Sequence, residues 1–364
     1  MKKCKICGKE KLVSECLGIC GSCIKEKGSL ALDYIKNAHK KSREVFGLPL
    51  FPPKEDKGLM CKICANECKI PEGAYGYCGI RKNHNGKLIG VSSELAKLSW
   101  YYDPLPTNCV ADWVCPGGTG SGYPEFAYSN GPEYGYKNLA IFFHACSFNC
   151  LFCQNWHFKE RTYDEDYISV EDLLKTIKED VSCICFFGGD PSCQLPFALK
   201  FSSEALKRKR SKILRICWET NGSMNPSLLK EMMELSLKSG GVIKFDIKAW
   251  NEDLHLALTG VSNKRTLKNF ELASSMLDKR KDPPPLVAST LLVPGYIDVE
   301  EVKNISKFIA SLSVEIPYSI LAFYPNFFMN DLPTTSKELA YKCYEVAKEA
   351  GLKNVKIGNI HLLR

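Results

Sequence analysis

Apolar runs and amphipathic repeats alternate along the last two thirds of the chain. Residues 139–143, 183–187, 214–218, 242–247, 286–293 and 319–323 are short, nearly continuous apolar stretches, and a final one covers 355–360. Runs of that length predict strands buried on both faces. Between them, residues 170–177, 228–237, 267–277, 299–312 and 337–350 carry apolar side chains at helical spacing. Strands alternating with helices predict a parallel sheet, an α/β fold, from about residue 138. The basic run Lys207-Arg208-Lys209-Arg210 is expected to close a helix, where cations favour the dipole.

The first 137 residues lack this regularity. Ala31, Tyr34, Ile35 and Ala38 share one face of a short helix, and the proline-rich stretch at 48–53 ends it. Residues 85–137 are rich in glycine, proline and aromatics and poor in strand signals. Within them, residues 115–122 have the glycine content of a phosphate-cradling loop. They lack the Lys-Ser/Thr pair and the flanking elements of a P-loop, so a flexible lid or substrate loop is expected. Four parts are therefore anticipated: a cysteine-rich module over 1–30, a second over 56–84, an irregular linker and substrate-loop region over 85–137, and a regular domain over 138–364.

Composition adds limits. Hydrophobic residues at 45% and charged residues at 25% are those of an ordinary soluble protein. No apolar run is long enough to span a bilayer. The start, Lys2-Lys3-Cys4, has no signal-peptide apolar core, which predicts a cytoplasmic protein without a membrane partner. A net charge of +8 suits RNA, an acidic protein or an anionic electron donor. Without a basic stripe interleaved with aromatics, nucleic acid is the weakest of these.

The 19 cysteines change the picture. Most fall in C-x2-C or C-x3-C pairs, which in a reducing compartment read as metal ligands rather than disulfides. So many thiols predict an anaerobe. Cys4, Cys7, Cys20 and Cys23 form two knuckles that fit a tetrahedral zinc site, with a rubredoxin-like iron as the alternative. So short a segment cannot build a core, so metal would supply its folding energy. Cys16 reads as a bystander, and Cys109 and Cys115 as unpaired packing residues, with added metal ligands as their alternative. Cys61, Cys64, Cys68 and Cys78 can hold zinc or an iron–sulfur cluster, and spacing does not choose. A third group, Cys146, Cys150 and Cys153, follows the first apolar strand. Three thiolates on such a loop can grip three corners of an iron–sulfur cube and leave one iron to a non-protein ligand. Zinc, or cysteines that simply pack, are the alternatives open to the triad by itself.

The spacing C-x3-C-x-aromatic-C, with Phe152 in the aromatic slot, resembles the signature of the radical S-adenosylmethionine (SAM) superfamily. Residues 61–81 likewise resemble the N-terminal module of proteins related to pyruvate formate-lyase activating enzyme. The strand ends match in family order. Gly188-Gly189-Asp190-Pro191 is similar to G-G-E-P, which meets the SAM amino group through backbone oxygens. Glu219-Thr220-Asn221-Gly222 is similar to the activase D-T-N-G, with Glu219 in place of an Asp that helps bind a monovalent cation. Asp246-Ile247-Lys248 is similar to D-L/I-K, which positions the carboxylate and ribose of SAM. Val293-Pro294-Gly295 matches a further turn. The triad departs from the family in its start, Ala145-Cys146-Ser147, preceded by His144, which reads as a packed residue or one that tunes a cluster.

The resemblance implies a partial (β/α)6 TIM barrel of radical SAM type with small N-terminal metal-binding modules. It implies a [4Fe-4S] cluster on Cys146, Cys150 and Cys153, with SAM held by Phe152, Gly188, Gly189, Asp190, Glu219, Thr220, Asp246 and Lys248. Reductive cleavage of SAM would give a 5′-deoxyadenosyl radical for hydrogen abstraction, with ferredoxin or flavodoxin as electron donor. Activation of a glycyl-radical enzyme, or modification of another protein, is the leading expectation. Radical modification of a small molecule, lipid or nucleotide, with or without cobalamin, is the second. A non-catalytic zinc and iron–sulfur protein is the third. The second cysteine module would carry zinc or a second [4Fe-4S] cluster.

Overall fold

A computed structural model describes residues 1–209 and 211–364. Its centre is one eight-stranded sheet: β1 (Leu98–Pro104), β2 (Lys137–Phe143), β3 (Val181–Gly188), β4 (Arg215–Thr220), β5 (Ile243–Asp246), β6 (Leu286–Leu292), β7 (Tyr318–Ala322) and β8 (Val355–Gly358). The strands lie side by side in chain order. Strands β2 to β8 run parallel, and β1 is antiparallel to β2, with Leu98 opposite Phe143. Strictly sequential order is that of a barrel wall rather than a doubly wound sheet. With β1 and β8 unpaired at the two ends, the barrel is partial.

Each apolar run became a strand because its alternate residues meet a helix layer. Ile184, Phe186, Ile216, Trp218, Ile243 and Phe245 form one face of β3 to β5 and are fully buried. After the N-terminal helices α1 (Gly21–Glu26) and α2 (Gly28–Glu44), the helices crossing behind them include α3 (Leu195–Arg208), α4 (Pro226–Ser239), α5 (Glu252–Thr259), α6 (Lys264–Ser274), α7 (Val299–Leu312) and α8 (Lys337–Glu349). Side-chain caps start several: Asn225 accepts from Ser227 N, Asp298 from Glu301 N and Ser336 from Leu339 N. Helix α3 does end in the basic run, at Arg208, whose guanidinium pairs with Glu171 and Glu204. Arg210 of that run lies outside the described residues.

The six expected β/α units are present, and the run at 355–360 adds a seventh parallel strand beside β7. Two expectations need correction. Residues 85–137 are not strand-poor: Lys87–Gly90 closes a hairpin with Arg81–His84, and β1 follows. The signal was hidden because β1 is an edge strand, with Trp100 and Tyr101 partly exposed, so it lacks the continuous apolar run of a buried strand. The glycine-rich stretch at 115–122 is no free lid. It holds a helical turn at Pro116–Thr119, and Ser121 and Gly122 bond Asp282.

The stretch after β1 forms a strap across the barrel. Ser319 of β7 donates to Val110 O (2.9 Å), Trp113 Nε1 donates to Ser319 Oγ (3.1 Å), and Lys356 of β8 pairs with Asp112 at 3.0 Å. The strap thus links one end of the sheet to the other. Its far end is pinned by Glu133, which takes a bidentate pair from Arg215 of β4 and a bond from Ser182.

Candidate functional site

The inner face of the sheet is polar. Cys183, Cys185, Cys217, Glu219, Lys244 and Asp246 alternate with the helix-facing apolar set on β3 to β5. The C-terminal ends of the parallel strands form the mouth, the usual ligand end of such barrels. There Cys146, Cys150 and Cys153 leave β2 on a loop and line a cavity of about 220 Å³. The same cavity is lined by Phe152, Gly188, Gly189, Asp190, Glu219, Thr220, Asp246 and Lys248. All eight residues expected around SAM are therefore brought to the triad.

The loop that carries the triad is fixed from several sides. Gly189 N donates to Phe143 O (2.9 Å) and Asp190 N to Ala145 O (2.8 Å). A Cβ on Gly189 would fall 2.2 Å from Ala145 O, so only glycine lets the two loops close this far. The Asp190 carboxylate caps Ser192 N (2.7 Å) and accepts from Asn221 N (2.6 Å) and Thr220 Oγ1 (3.2 Å). Its side chain thereby joins the second and third strand-end loops. Burial raises its pKa despite these donors. Asn221 Nδ2 reaches Ser147 Oγ (2.9 Å) and lies 3.7 Å from Cys146 Sγ.

Charges of both signs surround the triad: Lys159, Lys244 and Lys248 line the cavity with Asp190, Glu219 and Asp246. Lys248 pairs with Asp246 and lies over the Phe152 ring, 5.5 Å from its centroid. The other oxygen of that carboxylate, Asp246 Oδ1, is buried without a partner, an acceptor waiting for a ligand donor. Buried Lys159 donates to Asn149 Oδ1 (2.9 Å), and desolvation lowers its pKa to about 8. Burial pushes all three triad thiols up, Cys150 to about 12. Thiols in so dry a pocket ionise when a metal takes up their charge. A cavity lined by both lysines and carboxylates, with three thiols, an orphan acceptor and a glycine cradle, fits a three-cysteine cluster with a small zwitterion beside it.

Glu219 lines the cavity, but its carboxylate is already engaged. Its Oε1 accepts from Lys244 Nζ at 2.8 Å and from Cys109 Sγ at 3.4 Å. The neighbouring lysine holds its carboxylate below the usual range, against the cost of burial. Lys244 also contacts the thiols of Cys109 (2.9 Å) and Cys185 (3.4 Å). Lys244 and Cys185 escaped sequence reasoning, as did the contacts of Cys109 and Asn221. The signal for Lys244 was a charge inside an apolar strand run, two residues before Asp246 and so on the same face. His144 is turned away from the triad; its Nε2 meets Ser99 Oγ at 3.1 Å, so the expectation of a role beside the cluster has no contact behind it.

The two outer cysteine groups differ. Among the described residues, Cys4, Cys7, Cys20 and Cys23 are the only group of three or more candidate ligands whose ligand atoms all lie within 4.8 Å of one another. That is the spread of ligands around one tetrahedral ion. Cys16 stands apart, 3.2 Å from Ser14 Oγ. Cys61, Cys64, Cys68 and Cys78 are not gathered so tightly. Two of them, Cys64 and Cys78, neighbour a fifth thiol, Cys193, which sequence spacing gave no reason to include.

Residues 140–309 match the family model described as "Radical SAM superfamily". The chain is 26% identical over 313 residues to an uncharacterized protein of Methanocaldococcus jannaschii, covering 84% of this chain and 83% of that one. It is 27% identical over 223 residues to a putative glycyl-radical enzyme activating enzyme of the same organism, covering 59% of this chain and 77% of the relative. An isethionate sulfite-lyase activating enzyme of Oleidesulfovibrio alaskensis is 28% identical over 164 residues, 43% of this chain and 48% of that one.

Proposed function

Because the chain is a radical SAM enzyme, we propose that Cys146, Cys150 and Cys153 hold its catalytic [4Fe-4S] cluster and that the rim of the mouth cavity cradles S-adenosylmethionine. When bound, that pair supplies a 5′-deoxyadenosyl radical for hydrogen abstraction. The chain binds and orients. Lys248 offers the cation for the SAM carboxylate. Asp246 Oδ1 offers a free acceptor for its ribose hydroxyls. The backbone of Gly188, Gly189 and Asp190 faces its amino group, and Thr220 and Asp190 hold that backbone in place. Glu219, engaged by Lys244, shapes the cavity floor rather than binding a cation. The observation that carries this reading is the orphan Asp246 oxygen in the cavity that the triad lines.

The substrate reading follows the relatives named as activating enzymes: hydrogen abstraction from a protein, a backbone glycine in the first instance. A one-electron donor such as ferredoxin or flavodoxin would be anionic, complementary to the +8 of this chain. The polar interior of the barrel, with Lys244 and Glu219 beneath the mouth, favours a second reading, modification of a small molecule that enters it. No helix of the described residues is long and apolar enough to cross a membrane.

The test is anaerobic. Reconstituted protein reduced with dithionite should release 5′-deoxyadenosine from SAM. The Cys146→Ala, Cys150→Ala, Cys153→Ala triple variant should release none, and release from that variant would reject the assignment. With a glycyl-radical partner added, a persistent protein radical signal supports the activase reading. Deoxyadenosine formation that only small molecules stimulate supports the second.

A further inference from the structure

Three segments bring five thiols together on the flank of the triad. Cys61, Cys64 and Cys68 lie in and around the small hairpin of Leu59–Met60 with Lys69–Ile70. Cys78 comes from the turn before Arg81, and Cys193 from the helical turn Pro191–Gln194 just past the glycine pair. The Cys193 thiol neighbours those of Cys64 and Cys78, and Cys78 packs on the apolar cluster that holds Cys193. Arg81 Nη1 donates to Cys193 O at 2.6 Å, which locks the two segments together. Four of the five residues are buried, and Cys78 is half-buried.

The site abuts the catalytic loop. Cys61 and Cys68 belong to an apolar cluster against which Cys146 and Cys150 pack. Asn66 Nδ2 donates to Ser147 O at 2.7 Å, and Ala65 N to Ser223 O at 2.8 Å. The spacing of the thiols then decides what fits. A single ion draws its ligands together, as the Cys4, Cys7, Cys20 and Cys23 group is drawn within 4.8 Å. A cubane binds each thiolate to a different iron and so holds them farther apart. Among the described residues, neither the triad nor any three of the five thiols is drawn within that distance.

We infer that Cys61, Cys64, Cys68, Cys78 and Cys193 form the site of a second iron–sulfur cluster packed against the first, and that Cys193 is one of its ligands. Five thiols for four irons leave one spare. Its place beside both Cys64 and Cys78 puts Cys193 among the four. The spacing argument rests on reading the triad as a cluster site, but the test does not. The second site is assayed in the full-length triple alanine variant at 146, 150 and 153, which cannot hold the first cluster. That variant, reconstituted anaerobically, should keep about four iron per chain and a reduced-cluster paramagnetic signal. The reduced wild-type protein should show that signal broadened by its neighbour.

Adding Cys193→Ala to the triple variant should abolish the iron or shift the signal. Cys193→Ser, a gentler change, should shift it, with zinc at the N-terminal group unchanged as the mark of a folded chain. Zinc in place of iron in the triple variant overturns the cluster. Iron with an unaltered signal after both Cys193 changes overturns Cys193 as a ligand. Deoxyadenosine release is scored separately, so failure of the catalytic reading stays distinct from failure of this one.

Discussion

His255 shows how much a single buried side chain can report. It is fully buried; Nδ1 bonds Val261 O at 2.6 Å, and Nε2 has no partner. Protonation would add a charge and a second donor with nowhere to go, and burial lowers its pKa from 6.5 to about 4. The unfolded chain therefore binds a proton on this residue that the folded chain refuses. The contribution to stability is full above pH 6.5 and is lost progressively as the pH falls through the window from 6.5 to 4. At pH 5 the loss is about 2 kcal/mol from this residue. Urea unfolding of the wild type at pH 7.5 and pH 5 should show it, and His255→Gln should shrink the difference by about that amount. An unchanged pH dependence in the variant would contradict the argument. His39 is lowered to about 4 by burial in the same way, with Nε2 on Leu256 O and Ala257 O. At this scale the sequence was legible where chemistry is local, as with Asp246 and Lys248 two apart. It was silent where partners come from distant segments: nothing in the spacing of Cys64, Cys78 and Cys193 foretells that they are neighbours.

Among the elements, the strap is the one whose role the sequence hid. Strands buried on both faces announce themselves as apolar runs, and helix α7 matches its expected span, Val299–Leu312, because its apolar stripe is regular. The strap has no period at all. It is held by side chains, above all by Glu133 and Arg215, whose side chains are 0% and 1% exposed. Such a pair is costly to break, because a lone charge remains in a dry interior. Glu133→Ala should destabilise the protein by about 3–5 kcal/mol. It should also loosen the strap, which urea unfolding and proteolysis within 105–135 would both report. The paired replacement Glu133→Leu with Arg215→Met should recover much of the stability, since no charge is left behind. If the single variant cost less than about 1 kcal/mol, on the scale of an exposed pair, the strap would have some other anchor.

The whole molecule is more continuous than its sequence suggests. Residues 1–30 read as a separate metal-built module, yet Cys4, Val13, Leu17, Ile19 and Ile24 belong to the same hydrophobic core as the barrel helices and strands. The joint is the turn after β6. Gly295, with φ +84°, has Leu12 O where a Cβ would sit (2.4 Å), and Gly21 packs against Gly295 O in turn. Tyr296 OH donates to Ile19 O (3.1 Å) and accepts from Ser14 N (3.0 Å). A strand-end motif is thus also the seat of the N-terminal module, and helix α1 (Gly21–Glu26) rests on α5. If metal holds the four thiols together, its free energy feeds the barrel as well as the module. Removing it, with a chelator or with Cys20→Ser and Cys23→Ser, should lower the Tm of the whole chain in a single transition. Amides of β6 and α5 should also lose protection from hydrogen exchange, since α5 carries α1 and accepts from Asn149 N and Leu151 N of the three-cysteine loop. A separate low-temperature transition, with the barrel transition unmoved, would mean that the module is only tethered to the barrel. The continuous core argues for one cooperative unit.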